Sequence, residues 1–126
     1  MKIELDNTAG NSNRVSAYTI GQITIDERVF HSSILVSAHT IDAEWTPEDI
    51  SELQPEHFEA IIALTPEIVI LGTGKSLVFP EDTIIKPLID RQIGFEIMDT
   101  GAACRSYNFL LGEGREVVAA LFVIDE

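Results

Sequence analysis

The chain has 126 residues, 45% hydrophobic and 23% charged, enough for one domain that buries about two thirds of its unfolded surface without staples. Its 21 acids against 8 bases give a net charge of −13, a field that repels nucleic acid and anionic membrane surfaces. A single cysteine, Cys104, excludes an intrachain disulfide, and no apolar run is long enough for membrane insertion. The opening MKIELDNTAGNSNR has no apolar segment of the secretory type, so a cytoplasmic location is the expectation.

Residues 1–12 are polar and rich in Gly, Asn and Ser, which predicts a flexible N-terminal arm before a single globular domain over 13–126. Strands are expected at 15–20 and 23–25 around a Gly21-Gln22 turn, and at 29–37 after Asp26-Glu27-Arg28. They form an antiparallel meander. Thr46-Pro47-Glu48-Asp49 then signals a helix start, with Thr46 as N-cap and acids in the first turn. Gln54-Pro55-Glu56 restarts the helix, and Phe58, Ile61, Ile62 and Leu64 give it an apolar stripe.

Thr65-Pro66 ends that helix, and EIVIL at 67–71 is apolar enough for a central strand. A helix follows near 81–92, with Ile84, Ile85, Leu88 and Ile89 inward and Pro87 weakening its interior. A strand at 95–98, a helix within 99–112 and a last strand at 116–124 complete the chain. Strand–helix–strand–helix–strand predicts an α/β fold with a largely parallel sheet, to which the meander is added.

LGTGKSL at 71–77 looks at first like a phosphate-binding loop. The pattern needs a glycine at position 69, which is Val69, and a helix after the serine, where Leu77-Val78-Phe79-Pro80 stand. The nucleotide reading fails. The two loops that follow strands, Gly72-Thr73-Gly74-Lys75-Ser76 and Asp99-Thr100-Gly101-Ala102-Ala103, should still meet at the carboxyl edge of the sheet, where open α/β sheets hold ligands.

In the second loop Asp99 or Thr100 can cap the helix, while Ala102, Arg105 and Asn108 line one side of it at i, i+3, i+6. Cys104, Tyr107 and Leu111 lie on an adjacent stripe. Free N–H groups with an arginine one turn up would suit a carboxylate or phosphate. The plainer alternative is that Asp99 only caps, the alanines only pack and Arg105 pairs with an internal acid.

Cys104 sits in a first helical turn beside Arg105, which favours a thiolate, but no histidine signature supplies its base. It reads more simply as a small core residue. His31, His39 and His57 have no metal spacing, and no cofactor motif is present. Trp45 reads as a core anchor. Between Arg28 and Lys75 the chain has no Lys or Arg but eight acids from Asp42 to Glu67. That run is either a solvated face or a docking surface for a basic partner.

The combination of GTG at 72–74 with DTGAACRSYNFLL at 99–111, then a glycine–arginine turn and an apolar last strand, resembles the Mth nine-three-eight-like domain family. This is the domain of unknown function four-nine-eight, with relatives of a mitochondrial complex I assembly factor among its members. The resemblance implies three layers: a mixed, mostly parallel central sheet, helices on one side and a β layer on the other. It also implies a pocket lined by Gly72, Thr73, Gly74, Asp99, Thr100, Ala102, Arg105, Tyr107 and Asn108. It implies no reaction. The leading expectation is a non-enzymatic, protein-binding or assembly-type factor. The alternative is an anion- or small-molecule-binding protein, with a pocket between 72–76 and 99–108.

Overall fold

The computed structural model describes residues 12–125, so the expected arm lies, but for Ser12, outside the described residues. Short β-rich runs build the front of the chain. Strands β1 (Val15–Thr19), β2 (Gln22–Ile25) and β3 (Arg28–Phe30) pair antiparallel in that order, with Asp26 at φ 56 turning the second corner.

The expected strand over 29–37 is divided. β3 ends at Phe30, and β4 (Ile34–Val36) belongs to a different sheet. Between them Ser33 is buried, its hydroxyl donating to Pro47 O at 2.5 Å and lying 3.3 Å from Trp45 O. That anchorage keeps residues 45–47 out of a helix, so none starts at Thr46. Asp49 instead caps a short 3-10 turn (Ile50–Glu52) by accepting from Ser51 N at 3.1 Å. The hydrogen bonds from Ser51 also hold the Asp49 carboxyl below its ordinary range. A second 3-10 turn (Pro55–Phe58) runs into α1 (Glu59–Ile62).

The larger sheet contains β5 (Ile41–Asp42), β4, β8 (Val117–Leu121), β6 (Ile68–Gly72) and β7 (Gly94–Met98), in the order β5-β4-β8-β6-β7. β6 runs parallel to both β7 and β8, while β4 is antiparallel to β8 and β5. The two central strands read IVILG and VVAAL because both of their faces are covered.

Helix α2 (Asp82–Asp90) carries the chain from β6 outward to β7, and α3 (Thr100–Gly112) carries it back past β6 to β8. Steps in opposite directions with one crossover hand put the two helices on opposite faces of the sheet. The expected three-layer α/β architecture is therefore present with one difference in its contents. The α3 helix shares the meander's layer, and the remaining helical turns form the other.

Side-chain alternation divides the interior accordingly. Ile34, Val36, Ile70, Ala119 and Leu121 meet the meander and α3. Leu35, Val69, Leu71, Val118 and Ala120 meet the helical turns and α2. Trp45 anchors that second core, its indole N–H donating to His57 O at 3.0 Å and its ring 5.4 Å from Phe122. Phe58 lies in the same core, 1% exposed. Phe58→Ala is expected to cost about 3–5 kcal/mol, read from urea unfolding curves.

Candidate functional site

Strands β6 and β7 are parallel neighbours, so the loops that leave their carboxyl ends meet, as the spacing predicts. The meeting is tight. A Cβ on Gly72 would stand 2.9 Å from the Ala103 side chain and 3.0 Å from Thr100, so only glycine lets the helix start come this close. Gly74, at φ +104, then turns the chain across that helix start.

The polar groups of the two loops are spent on each other. Thr100 is fully buried, and its hydroxyl accepts from Gly74 N at 2.8 Å and donates to Phe122 O at 2.6 Å. Thr100 N donates to Gly74 O at 2.9 Å, Thr73 N to Met98 O at 2.9 Å, and Phe122 N to Gly72 O at 3.0 Å. The Thr73 hydroxyl donates to Ser76 O and accepts from Val78 N, at 2.6 and 3.1 Å. Asp99 caps α3 by accepting from Ala102 N at 2.9 Å. The N–H groups of Thr73, Gly74 and Ala102 that an anion would need are already donated within the fold.

Arg105, Tyr107 and Asn108 face away from this junction and hold the meander. Arg105 donates to the Tyr18 hydroxyl, where the sequence suggested an internal acid. Tyr107 is buried and donates to Asn13 O at 2.5 Å. Asn108 grips one residue twice, accepting from Val15 N at 2.9 Å and donating to Val15 O at 2.7 Å. The side-chain amide thus does what a neighbouring strand would do for β1.

The nine expected residues accordingly form two groups. Gly72, Thr73, Gly74, Asp99, Thr100 and Ala102 lie together at the sheet edge, and Arg105, Tyr107 and Asn108 lie along the helix. Tyr18 and Val15, the partners of the second group, escape sequence reasoning because they are 87 and 93 residues from their helix contacts. No local spacing could signal those pairs.

Cys104 is 1% exposed, and burial pushes its thiol up to about 12 despite the nearby Arg105 charge. It is a core residue with no thiolate character. His57 is occupied locally, its Nδ1 accepting from Gln54 N at 2.9 Å. Among the described residues no three His, Cys, Asp or Glu side chains converge on one point.

Beyond the nine residues, an open groove of about 370 Å³ runs between α3 and the β6–β7 edge. Ile68, Ile70, Met98 and Phe109 give it an apolar lining, with Glu96 and Arg105 as its charged members. The hint in the sequence is Phe109-Leu110-Leu111, because three consecutive apolar residues cannot all face one side of a helix. Leu111 takes the core and Phe109 stays 66% exposed.

The chain is thus a three-layer α/β domain whose GTG and DTG loops are locked together. Residues 15–122 match the family described as a protein of unknown function (DUF498/DUF598), and the chain belongs to that family. Over 87 residues it is 30% identical to a "13 kDa major membrane protein" of Francisella tularensis subsp. holarctica, covering 69% of this chain and 71% of that one. Over 110 residues it is 31% identical to NADH dehydrogenase [ubiquinone] 1 alpha subcomplex assembly factor 3 of Mus musculus, covering 85% of this chain. The match spans 58% of that relative's length. A crystal structure from Bordetella parapertussis superposes with a TM-score of 0.83 at 31% identity, covering 89% of this chain and 96% of that one. A Mth938-like domain from Bordetella pertussis gives 0.79 at 25% identity, covering 90% and 87%. Among the described residues of this chain, no helix is long and apolar enough to cross a membrane.

Two outcomes test the junction. Thr100→Val strands the buried Gly74 N–H and Phe122 O, and should cost about 1–3 kcal/mol in urea unfolding. Alkaline pH should destabilise the fold for a separate reason. Cys104 and Tyr107 are both raised by burial from ordinary values of 9.0 and 10.0, so the unfolded chain loses protons first. The stability these two groups contribute should be fully present below about pH 9 and be lost as pH rises beyond it, seen as a falling thermal midpoint. Cys104→Ser should remove part of that slope.

Proposed function

We propose that this chain is a non-enzymatic, protein-binding factor of the assembly type. The observation that carries this reading is the state of the GTG–DTG junction. Its donors and hydroxyls hold three backbone segments together, while the apolar groove further along α3 opens to solvent. A small molecule held between residues 72–76 and 99–108 would have to displace the hydrogen bonds that close the loops on each other. Partner binding asks for no such opening.

The names of the assembly factor 3 relatives support the same role. The chain spans 58% of the length of those relatives. The acidic run supports a basic partner. Eight acids lie between Asp42 and Glu67 with no Lys or Arg beside them in sequence, and of these Glu67 is paired with Arg115 at 3.0 Å. Glu56 and Glu59 border an open groove of about 610 Å³, lined also by Pro55, Ile62, Pro87 and, as its one cation, Arg91. Such a field raises the encounter rate with a positively charged surface. A cytoplasmic location belongs to this proposal, in keeping with a chain whose one cysteine allows no intrachain disulfide.

The test is affinity purification of the tagged chain from its own cells at low ionic strength. The expected result is a reproducible protein partner that is released as salt is raised. Failure to recover a partner, together with a metabolite whose binding is lost in Arg105→Ala, would instead establish the small-molecule reading.

A further inference from the structure

We infer that the outer edge of β7, with the apolar groove beside it, seats an extended segment of a partner protein bearing alternate apolar residues and one Lys or Arg beside Glu96. The inference rests on the protein-binding role proposed above and gives that role a surface and a partner chemistry.

The first observation is that the strand edges are treated differently. Proteins blunt exposed edges by shortening, bulging or covering them. At the far side of the large sheet, β5 has only two residues. In the small sheet β3 has three, and β1 carries a register shift between Val15 and Ala17. The Asn108 amide occupies the backbone of β1 at Val15. β7 is neither shortened, bulged nor covered, and its one guard is the Glu96 charge at its midpoint. It runs for five residues in unbroken register with β6, from Gly94 opposite Ile68 to Met98 opposite Gly72.

The second observation fixes which groups are free. Met98 O accepts from Thr73 N on the β6 side. Backbone groups alternate along a strand, so the N–H and C=O of Phe95 and Ile97 point outward. Among the described residues β7 pairs with β6 alone. An added strand would take up those four groups, as peptides do on other open sheet edges.

The third observation is the chemistry beside the edge. An incoming strand would send every second side chain over the face that Glu96 occupies. There it would meet the groove of Ile68, Ile70, Met98 and exposed Phe109. Glu96 is the midpoint of β7 and is exposed, so its cross-strand neighbour should be basic. The net charge of −13 favours the same sign of partner. It also disfavours a second copy, whose twofold pairing along β7 would set Glu96 against its own counterpart.

The test is selection from a displayed library of random linear peptides, panned against the full chain at low salt. Selected peptides should share apolar residues at alternate positions around a Lys or Arg. Amide exchange followed by NMR should find Phe95 and Ile97 fast in the free chain and protected when peptide is bound. An N-methyl group walked along the peptide should abolish binding at every second residue only. Phe109→Glu, on an exposed helix position, should keep the thermal midpoint and weaken binding about tenfold or more. Glu96→Lys should switch the selected charge from basic to acidic.

Peptides that map to the acidic helical layer, or that bind as helices, would overturn the edge assignment while leaving the protein-binding role standing. Phe95 and Ile97 amides already protected in the free chain would assign the edge to the chain itself or to a second copy, and overturn it as well. An empty selection overturns it too. Recovery of a native partner judges the broader role separately.

Discussion

One buried hydroxyl joins three stretches of backbone that are distant in sequence. Thr100 receives the Gly74 amide and gives its proton to Phe122, fixing the ends of β6 and β8 against the start of α3. Gly72 permits the contact by having no side chain where Ala103 must lie. Burying a hydroxyl without partners would cost several times what one exposed hydrogen bond contributes. Here both its donor and acceptor capacity are used. The angle and depth at which α3 meets the sheet follow from this junction, and so do the two surfaces flanking that helix.

On one flank α3 holds the meander, and on the other it leaves a groove. Both results come from a single helix with differently equipped sides. Asn108 presents an amide whose donor and acceptor match a strand's own, so β1 is completed by a side chain. Tyr107 reaches through the layer to Asn13. Phe109, two positions further, points the opposite way and stays in solvent. Arg105 stands between the two, bound to Tyr18 and also bordering the groove. Movement of the meander would therefore be felt at the groove through this arginine.

Much of the fold can be read from the sequence because hydrophobic period and punctuation agree along most of it. The runs at 68–72 and 117–121 are apolar throughout, and each is doubly covered. Asp99 caps the helix that its side chain suggests. Thr46-Pro47 misleads because capping propensity is local, whereas buried Ser33 claims that segment from another element. The strand expected over 29–37 hides a change of sheet that no periodicity marks. The distribution of helices escapes notice because it depends on strand order. For the candidate site, the sequence brings the GTG and DTG loops together. It is silent on how completely they satisfy each other, because Phe122 and Met98 enter through their backbones, which carry no residue signature.

The double grip of Asn108 on Val15 spans 93 residues, nearly the whole described chain. Contacts of such separation close late, after the entropy of a long loop has been given up, and they contribute little to an early nucleus. Parallel pairing of β6 with β7 across α2 is far more local. A partial opening that lifts the meander from α3 would lie below the free energy of full unfolding. Such an opening would bare Cys104 while the central sheet stays intact. The chain's one thiol would then serve as an internal clock, its labelling rate counting how often the front layer lifts.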